Sequence, residues 1–438
     1  MARVRTGPFD KALIIESPHP TLDLHLQEVG ITATRLDKVP DRDTLIRAIR
    51  GTGAQVLFKR SRVPVDRELL EACPELHAVQ LCCIGDDSVD KQACADHGVL
   101  VFNDPVSNAR SVVEMAIGHL IALGRRFYET NDETRVHHWD KSDRGRYEIL
   151  GKRLGVFGLG NIGRQTAKAA EAMGMEIWFY DNRFVAQEVG VEMGWRRAAD
   201  PAELFRSVDM VTVHTSARDA WGNDNEGLLD PYLMQLGADR PEDAPRVFIN
   251  LARGHLYDPE RLREAVRAGR IRRAAVDVYP EEPRPGETWI NPYAELPAVV
   301  CTPHIGAATE EAQPRIAKRV ARTIGAFSRY GTVRDCVFAP RTEIAVPQPQ
   351  PGQAVLAVTH STRVGTKKAV SDAIYEAHVS TLGSMQQDFP IGVAYDVSVL
   401  ERPLSAEELE NLIHIARRLS GDEDAIRAVR QVVVGWEW

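Results

Sequence analysis

The chain has 438 residues, of which 44% are hydrophobic and 26% charged, and its 54 Lys and Arg against 62 Asp and Glu leave a formal charge of −8. That is the balance of a globular protein, too long for a single core, so two or three domains are expected. Net acidity argues against nucleic acid as a partner, no run of about 18 apolar residues offers a membrane span, and the opening MARVRTGPFDKALIIE has no apolar stretch long enough for a secretory signal.

Six cysteines, Cys73, Cys82, Cys83, Cys94, Cys301 and Cys336, form no CxxC pair. No metal site is expected; the thiols read as small buried hydrophobes in a reducing, cytoplasmic compartment. Taken in chain order, apolar runs at 12–15, 55–58, 78–81, 154–157, 176–180, 210–214, 247–250, 274–278 and 299–302 alternate with helix-like spacers. This pattern predicts parallel βαβ units in an α/β fold. Uninterrupted runs such as VFIN and AAVDVY suit strands covered on both faces. After Cys336 the character changes. Residues 339–353, APRTEIAVPQPQPGQ, read as a linker. Beyond it come strand 354–360, helix 367–377, strands near 379–386 and 392–400, and a helix at 405–419 opened by the capping box Ser405-x-x-Glu408. With a closing strand this order is βαββαβ, a small ferredoxin-like α+β module.

Run 154–157 leads directly into Gly158-Leu159-Gly160-Asn161-Ile162-Gly163 and then into the helix former RQTAKAAEAM. The spacing G-x-G-x-x-G in a strand–turn–helix setting is a dinucleotide fingerprint. Its glycines permit the tight turn, close approach to a pyrophosphate and close helix packing, and the helix N-terminus faces the phosphates. The next strand, EIWFY, ends at Asp181, eighteen residues past Gly163. A carboxylate there accepts from both ribose hydroxyls and repels a 2′-phosphate, which favours NAD over NADP; Arg183, two residues on, weighs against that preference.

Three ionisable residues follow successive later strands: Arg253 in NLARGHL, Glu282 in VDVYPEEP and His304 in TPHIGAAT. Ligands of open α/β sheets bind at those strand ends. Hydride transfer to a 2-oxo acid needs a planar cation for the carboxylate and carbonyl, a proton donor for the carbonyl oxygen, and a carboxylate to orient the donor. Arg253, His304 and Glu282 match these roles. Asp277, a charge inside AAVDVY, either holds the nicotinamide carboxamide or bonds a neighbouring loop.

Together, GLGNIG with Asp181, NLARGHL, VDVYPEEP and TPHIGAAT resemble the D-isomer-specific 2-hydroxyacid dehydrogenase family over about residues 50–335. The resemblance implies that Arg253, Glu282 and His304 are catalytic. It implies NAD contacts at Gly158, Gly160, Asn161, Ile162, Gly163, Asp181, His214, Thr215, Ala252, Asp277, His304 and Gly306. The implied architecture is a Rossmann-type cofactor domain, 110–306, inserted into a flavodoxin-like substrate domain, 1–109 with 307–340, the active site lying in the cleft between them. A linker, 341–353, would join a module, 354–438, that resembles the ACT regulatory domain. A homo-oligomer, dimer or tetramer, is implied as well.

The segment Lys59-Arg60-Ser61-Arg62 puts three cations and a hydroxyl at a strand end, which suits an oxyanion-rich group. Resemblance in LFKRSRVPVD, QLCCIGDDSVD, FNDPVSNARSVVE and HHWDKS implies a small phosphorylated or phosphonylated 2-hydroxy or 2-oxo acid as substrate. Arg60, Ser61, Arg62 and Asn108 would touch it, backbone around Ile84 and Gly85 would hold its carboxylate, and Lys141 with Lys38 would arrive from a second subunit. The implied pair is 3-phosphoglycerate and 3-phosphohydroxypyruvate, with phosphonopyruvate as the alternative substrate. A non-catalytic, corepressor-like NAD sensor is the alternative of another class. Three features depart from the family pattern. Residues 214–247 form a longer connection than usual, read as reshaping the pocket or adding a subunit contact. The ACT-type ligand loop H-x-N-x-P-G is replaced by His360-Ser361-Thr362-Arg363-Val364-Gly365, which argues against serine inhibition. The chain also ends in GWEW.

Overall fold

Short, wholly apolar runs can satisfy their backbone only inside a sheet covered on both faces, and the runs found in the sequence pair in that way. The computed structural model describes residues 2–219, 223–283, 287–340 and 342–435, so the final three residues of GWEW lie outside it. The chain divides into two units, 1–107 with 313–438, and 108–312.

In the first unit, Thr32–Arg35, Lys11–Ile14, Val56–Lys59, Ala78–Leu81 and Leu100–Phe102 lie side by side in that order, all parallel. The strand order is 2-1-3-4-5, and it reverses between Lys11–Ile14 and Val56–Lys59. In the second unit a seven-stranded parallel sheet runs Val299–Cys301, Arg273–Val276, Val247–Asn250, Met210–Val213, Arg153–Phe157, Glu176–Tyr180, Arg196–Arg197. This is the Rossmann order with one added edge strand, and its reversal falls between Arg153–Phe157 and Met210–Val213. Crevices at such switch points are where ligands of open α/β sheets bind.

Helices Ala109–Arg125 and Asn161–Ala172 cover one face of the larger sheet, burying Leu120, Leu123 and Ala167 against Leu154 and Val156. On the other face Leu229, Leu233 and Leu236 are fully buried with Phe205 and Phe248. The long connection after His214 therefore spends its second half on core packing. Among the described residues no helix is long and apolar enough to cross a membrane. All six cysteines are free thiols, and burial pushes Cys73 up to about 11 and Cys336 up to about 12.

The C-terminal part forms the sheet Ile426–Val433, Ala354–Ser361, Val393–Leu400, Thr381–Phe389, with helices Thr366–Glu376 and Ala406–Ser420 packed on it. The Ser405/Glu408 capping box is formed. A fifth strand, Arg3–Thr6, comes from the opposite end of the chain and pairs in parallel with Ile426–Val433. Its four residues, RVRT, are too short and too charged to be legible as a strand. The proline-rich segment is not a free tether either: Glu343–Ile344 pairs antiparallel with Val333–Arg334, and Ile344 is fully buried.

Two buried guanidinium groups clip this sheet to the rest of its unit. Arg3 donates to the carbonyls of Leu70 (2.6 Å), Cys73 (2.8 Å) and His97 (2.8 Å). Arg430 donates to those of Phe327 (2.6 Å) and Ser328 (2.5 Å), closing helix Ala312–Tyr330, and lies over the rings of Phe9 and Phe327. Burial pulls Arg430 down to about 10. Hydrogen bonds from a charged donor each contribute roughly 1.5–3 kcal/mol. Arg430→Met should therefore cost about 3 kcal/mol or more in urea unfolding; a variant with an unchanged midpoint would mean that the clip carries no stability.

Candidate active site

The dinucleotide turn is built by steric exclusion. Gly158 has φ +92°, and a Cβ there would stand 2.8 Å from the carbonyl oxygen of His214 and from Thr215 Oγ1. A Cβ on Gly163 would overlap the carbonyl of Gly158. The two turns at the switch point, 158–163 and 214–215, thus touch through glycine. Five helices begin with Asp side chains on their first N–H groups, at Asp41, Asp66, Asp90, Asp200 and Asp258, and several others have no side-chain cap. Helix Asn161–Ala172 also begins, at Gly160, with no side-chain cap. Its open N–H groups and positive dipole end suit a pyrophosphate, so the residues present fit a dinucleotide. Ile162 anchors this first turn against the core that holds Leu154 and Val156.

Asp181 is buried beside that turn. Its Oδ2 accepts from Leu159 N–H (2.8 Å) and Arg183 Nη2 (2.6 Å), and its Oδ1 from Arg183 N–H and Nε (2.9 Å each). Burial alone would raise the carboxyl pKa, but Arg183 and the two backbone donors outweigh it and hold Asp181 below the usual carboxylate range. His214 lies 3.0 Å from Thr212 Oγ1 through Nε2, and burial pushes it down to about 3, so it is a neutral imidazole.

Arg253 sits on a turn shaped by the fully buried Asn250, whose side chain bonds Ala252 N–H and the Arg253 carbonyl, 2.9 Å each. The Arg253 Nη1 donates to the Ala252 carbonyl (2.8 Å). A Cβ on Gly254 would overlap the Tyr279 carbonyl. Only glycine lets the Arg253 turn lie against the backbone that leads to Glu282.

Asp277 bonds the neighbouring loop. Its buried carboxylate accepts from Thr302 Oγ1 (2.6 Å), Ile305 N–H (2.9 Å) and Gly306 N–H (2.8 Å), fixing the loop that carries His304. On that loop His304 has φ +55°, a left-handed conformation uncommon outside glycine. Its Nδ1 stands 2.8 Å from Glu282 Oε2, which leaves Nε2 as the face open to chemistry. Both side chains are partly exposed, 49% and 39%. The hydrogen bond to Glu282 raises the His304 pKa; burial opposes it, the charges of Glu282 and Asp277 add to it, and Arg253 opposes it. Arg253 is therefore within electrostatic reach of the imidazole.

In the other unit the segment after Val56–Lys59 lies at the switch point of its own sheet, with Ser61 and Arg62 exposed and Arg60 half-buried. The expectation of three available cations is corrected here. Lys59 has 0% exposure; its Nζ faces Glu16 at 3.8 Å and donates to the Arg60 carbonyl (2.8 Å) and Ser88 Oγ (2.7 Å). Its charge is consumed internally, leaving Arg60 and Arg62.

Glu16, which sequence reasoning missed, gathers the N–H groups of Arg60 (2.9 Å), Arg62 (3.1 Å) and Val63 (2.5 Å) on its carboxylate. It sits in a left-handed stretch, φ +63° at Glu16 and +51° at Ser17. The available signal was a lone acid ending the apolar run ALII. The carbonyls of Ile84 and Gly85 are engaged by Asn103 Nδ2 and Cys83 Sγ. Asn108, which heads helix Ala109–Arg125 in the second unit, is buried, and its Oδ1 has no hydrogen-bond partner among the described residues. Lys38 and Lys141 are exposed on loops.

Residues 117–306 match the family model described as D-isomer specific 2-hydroxyacid dehydrogenase, NAD binding domain. The chain is 33% identical to the D-3-phosphoglycerate dehydrogenase of Haemophilus influenzae over 88% of its own length and 91% of the relative's. It is 31% identical to that of Escherichia coli K12, over 90% and 94%. The chain belongs to the D-isomer specific 2-hydroxyacid dehydrogenase family. It is an NAD-dependent oxidoreductase. Its fold is also that of a glyoxylate reductase from Paecilomyes thermophila, with a TM-score of 0.64 at 22% identity over 75% of this chain and 98% of the other.

Because Glu16 ties three backbone groups of the basic segment to one carboxylate, Glu16→Gln in this dehydrogenase should raise KM for its 2-oxo acid about tenfold with kcat retained. Steady-state kinetics checks it; an unchanged KM would contradict the positioning role.

Proposed function

We propose that the chain interconverts 3-phosphoglycerate and 3-phosphohydroxypyruvate, the first step of serine synthesis, with NAD as the redox partner. The observation that carries this reading is the Glu282–His304 pair at 2.8 Å with Arg253 in electrostatic reach; the basic segment Arg60, Ser61, Arg62 and the curated relatives support the choice of a phosphorylated substrate. Bound NAD or NADH supplies the acceptor or donor of hydride. For reduction, Arg253 holds the substrate carboxylate and polarises the C2 carbonyl with its planar fork. His304 gives its Nε2 proton to the carbonyl oxygen, and Glu282 on Nδ1 stabilises the imidazolium and fixes the ring. For oxidation, neutral Nε2 takes the hydroxyl proton. Arg60, Ser61 and Arg62 bind the phosphate dianion, Asn108 and backbone around Ile84 and Gly85 hold the remainder, and Lys141 is contributed by a second subunit of a dimer or tetramer.

The proposed domains are 1–109 with 307–340 for substrate and 110–306 for cofactor. The βαββαβ module, 354–438, serves as an ACT-like regulatory or oligomerisation domain. Its exposed Arg363 and Val364 stand in a loop without the Asn and Pro of serine-binding members, so added serine leaves the rate unchanged.

The test is a kinetic panel of phosphohydroxypyruvate, phosphonopyruvate, glyoxylate and 2-oxoglutarate with NADH. Phosphohydroxypyruvate should show the highest kcat/KM, and Arg60→Ala should raise its KM while sparing NADH binding. A preference for phosphonopyruvate would reassign the substrate, and no turnover with any of the four would point to a nucleotide sensor. His304→Ala should cost about 10²–10⁴ in kcat.

The pH dependence has a definite sign. Reduction needs protonated His304, so kcat/KM falls as pH rises through its elevated pKa, whereas oxidation gains. Glu282→Gln removes the main cause of that elevation, so the falling limb of reduction should move to lower pH; a profile that stays in place would contradict the pairing.

A further inference from the structure

Discrimination against a 2′-phosphorylated dinucleotide depends on an acidic side chain whose lone pairs are open to the ribose hydroxyls and whose charge is uncompensated. Neither condition holds at Asp181. An ionised carboxylate offers about four acceptor positions, and here Oδ1 and Oδ2 already take four hydrogen bonds, three of them from Arg183 and one from Leu159 N–H. The two opposite charges are 2.6 Å apart, so the pair presents almost no net charge to an incoming phosphate.

Arg183 is also well placed to do more than neutralise. Its side chain is about one-third exposed, whereas that of Asp181 is 4% exposed. Its Nη2 lies 3.9 Å from where a Cβ on Gly160 would stand, beside the turn that receives the phosphates. Nε and Nη2 face Asp181, and Nη1 makes no hydrogen bond among the described residues. The guanidinium is the outer, movable member of the pair.

From this clasp we infer that the dinucleotide site takes the 2′-phosphorylated cofactor NADPH as well as NADH, with Arg183 as the residue that decides between them. With NADPH, Arg183 turns Nη1 and Nη2 to the 2′-phosphate while Nε stays on Asp181. With NADH, Arg183 swings out and the ribose hydroxyls replace it on the carboxylate. The inference concerns the nucleotide end of the site and does not depend on which 2-oxo acid is the substrate.

The test is titration of the full-length protein with NADH and with NADPH, followed by tryptophan fluorescence in the absence of substrate. The wild-type Kd values should agree within about thirtyfold. Arg183→Ala should weaken NADPH at least about tenfold and tighten NADH by freeing the Asp181 oxygens. Asp181→Ala should do the opposite, weakening NADH and sparing NADPH, with melting curves confirming that both variants are folded. NADPH binding weaker than NADH by more than about thirtyfold, or an Arg183→Ala variant that loses both nucleotides equally, would overturn the inference. Failure of the wild type to bind either nucleotide would strike the dinucleotide site itself.

Discussion

The hydrogen bond between His304 and Glu282, 2.8 Å long, is the contact on which the proposed chemistry depends. A histidine on a loop titrates wherever its surroundings put it. This one is held in a left-handed conformation by the three bonds of Asp277 to its loop, and its Nδ1 is occupied by a carboxylate. The ring is thereby oriented and its protonated form favoured, and in the proposed mechanism its other nitrogen meets the substrate oxygen. Arg253 works against the same proton electrostatically.

Both units place their polar chemistry by the same device. In each, a parallel sheet reverses its order at one point, and polar loops flank that point. In the larger sheet these are the glycine turn and the His214 turn; in the smaller one they are Glu16 and the basic segment after Lys59. The buried partners, Asp277, Asn250 and Glu16, have their carboxylate or amide oxygens committed to backbone N–H groups. They act by fixing the loops that carry their neighbours.

Much of this was legible in the sequence because it is local. The strand–glycine turn–helix unit, the capping box at Ser405 and the three strand-end residues each depend on a few neighbouring positions. What was not legible depends on distant pairing. Strand Arg3–Thr6 finds its partner more than four hundred residues away. Lys59 reads as a cation beside two others until Glu16 is seen to neutralise it. Asp181 reads as an open ribose acceptor until the geometry of Arg183 is known. The same holds for the long connection after His214, whose leucines look like ordinary loop content until Phe205 and Phe248 surround them. Composition marked residues 339–353 as loose, yet Ile344 is buried through a two-residue strand pair.

The most direct measurement is a crystal structure of the enzyme with NAD and a non-reactive 2-oxo acid analogue. The account predicts His304 Nε2 within hydrogen-bond distance of the C2 oxygen, with Arg253 on the carboxylate and Glu282 still on Nδ1. An analogue oxygen held by some other group, with the imidazole turned away from it, would contradict the account.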